Sequence, residues 1–83
     1  MEKRVFKDNI YTAIAGLTKA FGHANRLEML DLLANGEKTV EQIATLTAIT
    51  VANASQHLQV LKAARLVTSR REGNFIFYIG CTE

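Results

Sequence analysis

The stretch from Thr39 to Tyr78 constrains the fold more than any other part of this chain. It reads as a short helix, a turn at Thr47-Ala48-Ile49, a second helix TVANASQHLQVLKAA from Thr50 to Ala64, and two strands, VTSRR and FIFYI, around Glu72-Gly73-Asn74. Each piece has a local reason. Thr39 and Gln42 stand at the N-cap and third helical positions of a capping box, with the helix running from Val40 to about Leu46. Thr50 is a second good N-cap. Aromatic and β-branched residues suit the strand from Phe75 to Ile79, and the Gly-containing turn suits a hairpin with Val67 to Arg71. A helix-turn-helix followed by a basic hairpin is an arrangement suited to duplex DNA. One helix enters the major groove and the hairpin follows the flanking backbone.

The inner faces follow from the spacing. Val40, Ile43, Ala44 and Leu46 are expected to face inward from the short helix, with Ile49 buried in the turn. On the helix after Thr50, Val51, Ala54, Leu58 and Leu61 line one side. Ala52, Asn53, Gln56, Gln59 and Ala63 line the other. That outer face is small, polar and uncharged near its start, whereas a merely solvated face normally carries Glu and Lys. Small residues let the backbone approach, and Asn and Gln hydrogen-bond base edges, adenine in particular. Ser55 lies beside this face, within reach of a phosphate. Arg70, Arg71 and Asn74 fall near the hairpin tip as phosphate or minor-groove contacts. The competing reading is an edge strand kept soluble by its arginines.

Charge distribution agrees. No carboxylate lies between Glu41 and Glu72, and that interval carries Lys62, Arg65, Arg70 and Arg71, a local charge of +4. From Ala24 to Glu41 the balance is −2: Arg26 and Lys38 against Glu28, Asp31, Glu37 and Glu41. A polyanion would feel one side of such a domain.

Two further helices are expected upstream. From Val5 to about Phe21, Phe6, Ile10, Ala13, Ile14, Leu17 and Phe21 make an apolar stripe. It is broader than one small domain needs, so a core role and a subunit interface through Phe6, Ile10, Ile14 and Leu17 both stay open. Gly22-His23 interrupts the pattern. A second helix is expected from Ala24 to about Asn35, with Leu27, Leu30, Leu33 and Ala34 inward and a stop at Asn35-Gly36.

The 83 residues allow one small domain, whose core is marginal alone, so a partner subunit is expected. The fold class is mainly α with a small β-hairpin. No apolar run reaches the length of a membrane span, and no secretory signal pattern follows Met1-Glu2-Lys3-Arg4, so a cytoplasmic location and no membrane partner are expected. The single Cys81 cannot form an internal disulfide. His57 has no Cys partner and no close carboxylate in sequence, and His23 reads as a cap or surface residue at the start of a helix, so no metal ligand is assigned. No phosphate-cradling Gly loop, nucleophile elbow or carboxylate pair is visible, so neither catalysis nor a cofactor is expected.

The runs NRLEMLDLL and TVEQIATLTAITVANASQHLQVLKAARLVTSRREGNFIFY resemble the ArsR/SmtB group of bacterial winged-helix repressors, over about Leu17 to Tyr78. The most specific part is SQHLQVLKAARLV followed by RREG. The resemblance implies a winged helix-turn-helix fold, a homodimer, and binding of double-stranded operator DNA. It places base reading at Thr50, Ala52, Asn53, Ser55 and Gln56, and the wing at Arg71 and Glu72-Gly73. Arg26 matches an arginine of the second helix that braces the fold or touches a phosphate.

The departures narrow this. Where metal-sensing members carry Cys-Val-Cys, this chain has Thr39 and Glu41. Thr is a poor ligand for a soft metal and a lone Glu favours hard ions. The chain ends at Cys81-Thr82-Glu83, before a ligand-bearing or dimer-closing final helix. Either the first helix supplies the interface or the chain is a fragment of a longer protein. The VANASQHLQVLKAARLV block resembles the subgroup fused to a C-terminal rhodanese domain. A winged helix used only for protein interaction, without specific DNA binding, remains the alternative; it predicts an exposed apolar patch on the outer helix face.

Overall fold

The computed structural model describes residues 3–81, with the side chains of residues 3–8 and Thr18 outside the description. The chain folds as α1 (Lys3–Ala34), β1 (Lys38–Thr39), α2 (Val40–Thr47), α3 (Val51–Ala63), β2 (Val67–Glu72) and β3 (Phe75–Gly80). The strands form an antiparallel sheet in the order β1-β3-β2.

The main departure from expectation is α1. Two helices separated at Gly22-His23 were expected, and one helix of 32 residues is found. Gly in a helix interior costs only about 1 kcal/mol relative to Ala, and Ala24 offers no proline to stop the turn. The helix stops at Asn35-Gly36, as the sequence predicts. Gly36 has φ 135°, and the Lys38 ammonium donates to the carbonyls of Leu32 at 3.0 Å and Gly36 at 3.4 Å. A cation on the last carbonyls also suits the helix dipole.

Continuity fixes the phase of α1. Met29 is fully buried and Leu33 nearly so, while Leu27 is 67% exposed and Ala34 is exposed. The inward face is therefore Met29, Leu30 and Leu33, a correction to the expected one. At 3.6 residues per turn this face lies roughly 130° around the helix from the stripe of Ile10, Ile14, Leu17 and Phe21. Among the described residues no other element covers that stripe, whose members are 43%, 52%, 59% and 68% exposed. Phe6, assigned to the same stripe, lies outside the described side chains.

The core is built from one face of each helix and of β2 and β3: Met29 and Leu33 of α1, Ile43 and Ala44 of α2, Ala54, Leu58 and Leu61 of α3, Val67 of β2 and Tyr78 of β3. Leu30, Val40 and Ile49 pack against it partly buried. Each large aliphatic member contributes about 1.5–3 kcal/mol by leaving water. Leu46 and Val51, expected inside, are 53% and 46% exposed. They flank the α2–α3 turn, and Ile49 supplies the inward anchor there instead.

The turn chemistry matches its reading. Thr39 Oγ1 accepts from the Gln42 amide at 3.2 Å, and Gln42 Oε1 accepts from the Thr39 amide at 2.9 Å. Thr50 Oγ1 accepts from the Asn53 amide at 3.1 Å. Ala48 closes α2 with φ 58°, donating its amide to Ala44 and Thr45. The hairpin pairs Glu72 with Phe75 across Gly73-Asn74, with Gly73 at φ 60°. Glycine fits that first loop position because it has no Cβ to clash. The strand β1 was not anticipated. It exists only by pairing Lys38 with Tyr78 and Thr39 with Phe77.

Candidate nucleic-acid interface

Two elements that could meet a duplex lie side by side: α3 and the β2–β3 hairpin. On α3, burial of Ala54, Leu58 and Leu61 turns Ala52, Asn53, Gln56 and Gln59 outward, all exposed, with Ser55 half-buried beside them. Thr50 is exposed at the N-terminus of α3, its hydroxyl engaged by the Asn53 amide. The Asn53 side chain itself stays available for a base edge.

Two contacts fix the hairpin to α3. Gln59 Nε2 donates to the Tyr78 hydroxyl at 3.3 Å, and Lys62 Nζ donates to Ser69 Oγ at 2.8 Å. Gln59, assigned to DNA from its place on the outer face, is thus also a link between helix and sheet. That role could not be read from helical spacing.

Strand register separates the two arginines. Val67, Ser69 and Arg71 pair with Gly80, Tyr78 and Ile76, and share the sheet face that meets α3. Thr68, Arg70 and Glu72 pair with Ile79, Phe77 and Phe75 on the opposite face. Arg71 is exposed on the α3 side, with its Nε donating to the Gly73 carbonyl at 3.2 Å. Asn74 is exposed at the tip. Arg70, by contrast, is engaged by carboxylates: its Nε and Nη2 donate to Glu37 at 3.0 and 2.5 Å, and its Nη1 to Glu72 at 2.6 Å. Its Cζ also lies 4.6 Å from the Phe77 ring centre. The hydrogen bond from Arg70 holds the Glu37 carboxyl below its ordinary value. The same bonds raise Arg70 further above its ordinary range.

The remaining titratable group of note is His57. It faces α1, where Arg26 Nε donates to its Nδ1 at 3.2 Å. Burial first, and the Arg26 charge second, lower its pKa from 6.5. Arg26 therefore braces α1 against α3.

Thr39 is 8% exposed, its hydroxyl engaged in the capping box. Among the described residues no three His, Cys, Asp or Glu side chains are grouped to hold a metal ion. No described helix is long and apolar enough to cross a membrane.

Residues 23–69 match the family described as bacterial regulatory protein, arsR family. The chain is 48% identical over 65 residues to the HTH-type transcriptional regulator Rv0324 of Mycobacterium tuberculosis, covering 78% of this chain and 29% of that protein. It is 38% identical over 60 residues to the transcriptional repressor SdpR of Bacillus subtilis, covering 72% of this chain and 67% of the repressor. The chain thus spans less than a third of the first of these relatives. Among solved structures, it is similar to the homodimeric winged helix-turn-helix DNA-binding domain (fragment 1–100) of Mb0332 from Mycobacterium bovis. The TM-score is 0.70 and the identity 40%, over 99% of this chain and 74% of that one.

Proposed function

Because this chain belongs to the bacterial arsR family of regulatory proteins, we propose that it is the DNA-binding domain of a homodimeric transcriptional repressor. It enters the operator's major groove with α3 and follows the flanking backbone with the hairpin. The observation that carries this reading is a pair of exposed surfaces on adjoining elements. Ala52, Asn53 and Gln56 form an exposed, uncharged face of α3, and Arg71 is exposed on the sheet face against which α3 packs. Thr50, Ser55, Gln59 and Asn74 border that surface. Asn and Gln at the helix start suit base edges, and Arg71 suits a phosphate.

The second subunit is supported by the uncovered stripe of Ile10, Ile14, Leu17 and Phe21. An isolated helical arm is marginal in water, and packing of an apolar face supplies most of a helix's stability. The named homodimer of the Mycobacterium bovis fragment is consistent with this. The proposal extends to a cytoplasmic location and to a C-terminal rhodanese domain beyond residue 83. The second is supported by the resemblance of the VANASQHLQVLKAARLV block alone.

The test is fluorescence anisotropy on a duplex from the chain's own upstream region and on a scrambled duplex, across a salt series. The proposal expects preference for the upstream duplex and a steep loss of affinity as salt rises. Equal, weak binding to both duplexes by a verified dimer would reject it.

A further inference from the structure

We propose that Arg70 is a positioning residue of the wing, not one of its phosphate contacts. Held by Glu37 and Glu72 over the Phe77 ring, it fixes the hairpin so that Arg71 is presented on the α3 side. The inference rests on the DNA-binding reading and deepens it.

Three observations carry it. The first is direction: Arg70 lies on the sheet face opposite the one that meets α3, whereas Arg71 lies on the α3 face. A duplex entered by α3 would approach Arg71 and not Arg70. The second is occupancy. The guanidinium forks onto both Glu37 oxygens, at 3.0 and 2.5 Å, and its remaining nitrogen reaches Glu72 at 2.6 Å. Two carboxylates around one guanidinium leave this face locally anionic, so a phosphate would meet repulsion before it met the arginine. The third is reach. Glu37 lies in the link between α1 and β1, 33 residues from Arg70 in sequence. The contact therefore ties the hairpin to a distant part of the chain, and Phe77 stacks beneath the guanidinium at 4.6 Å. A planar fork that stacks and binds bidentately is a task for Arg that Lys does not perform.

The groups are partly exposed, so the clamp is worth a modest factor in wing order. Its test uses Glu37→Gln, Arg70→Gln and the double variant, with two readouts. The first is amide hydrogen exchange along the β2–β3 ladder, measured by NMR on the free chain. Each single variant should exchange about two- to fivefold faster than the parent, and the double variant no faster than Arg70→Gln alone. The second is anisotropy on a mixed-sequence duplex across a sodium chloride series. Both single variants should bind about two- to fivefold more weakly, with the salt slope of Arg70→Gln unchanged.

The phosphate-contact reading predicts a different salt slope for Arg70→Gln and the opposite sign for Glu37→Gln. Arg70→Gln would flatten the slope by about one unit, and Glu37→Gln, by freeing Arg70, would tighten binding. Either result overturns the proposal, as does unchanged exchange in Glu37→Gln. If the parent chain, verified as a dimer, binds no duplex, the DNA-binding reading falls, and exchange in the free chain still decides whether the clamp orders the wing.

Discussion

Arg26 of α1 donates from Nε to Nδ1 of His57 on α3, 3.2 Å away. An accepting Nδ1 requires a neutral imidazole with its proton on Nε2. Protonation would set two cations against each other across the α1–α3 contact. The folded pKa of His57 is accordingly depressed, by burial and then by Arg26, below the ordinary 6.5. A depressed folded pKa means that the unfolded chain binds the proton more readily. The stability is therefore present above the unfolded pKa and lost as pH falls through the lower folded value. Thermal melts across that acid range should show stability declining, and His57→Gln, which keeps an acceptor but cannot titrate, should flatten the decline. Identical acid slopes in the parent and the variant would show that the contact does not couple to protonation.

Gly22 tests the continuity of α1. A Cβ built there meets only the His57 ring, with Cε1 at 3.6 Å, an ordinary contact distance. Gly22→Ala should therefore raise stability by about 0.5–1 kcal/mol, through propensity and a less flexible unfolded chain. A chemical denaturation curve reads this directly. A loss of stability would mean that the backbone at Gly22 is not helical in solution.

Whether a residue's role was legible depended on how far away its partner sat. Thr39 with Gln42, Thr50 with Asn53, and the Gly73 turn are local devices whose ends lie three residues apart, and their chemistry was visible in the chain. The outward face of α3 was legible because periodicity fixes what a helix turns away from its core. Long-range pairings were not. The strand β1 has only two residues and no pattern of its own; its partners are Tyr78 and Phe77. Arg70 and Arg71 look equivalent in a sequence that reads SRRE, and only strand register sends one to α3 and the other to Glu37. Gly22-His23 does not break α1 because the helix formers on either side outweigh a single glycine.

The α1 stripe makes a prediction about assembly. Ile14 is 52% exposed and Leu17 59%, so charges there cost the monomer's core nothing. Ile14→Glu with Leu17→Glu should leave the circular dichroism of the core elements in place while shifting sedimentation towards the monomer. Burying two carboxylates in an apolar interface costs several kcal/mol, enough to dissolve a dimer at micromolar concentration. Unchanged sedimentation would place the subunit contact elsewhere.

Gln56 and Arg71 should fail in different ways. Gln56 is exposed on the outer face of α3, with no hydrogen bond binding it to the hairpin as Gln59 is bound. Its amide is suited to one base pair, so Gln56→Ala should cost about 1–3 kcal/mol on the upstream duplex and little on a scrambled one. Arg71 projects a full positive charge beside the same surface, and a phosphate carries no sequence information. Arg71→Ala should weaken both duplexes alike and reduce the salt slope by about one unit. Anisotropy titrations at several salt concentrations separate the two patterns. Equal loss on both duplexes for Gln56→Ala would remove it from base reading, and an unaltered slope for Arg71→Ala would remove the wing from the phosphate backbone.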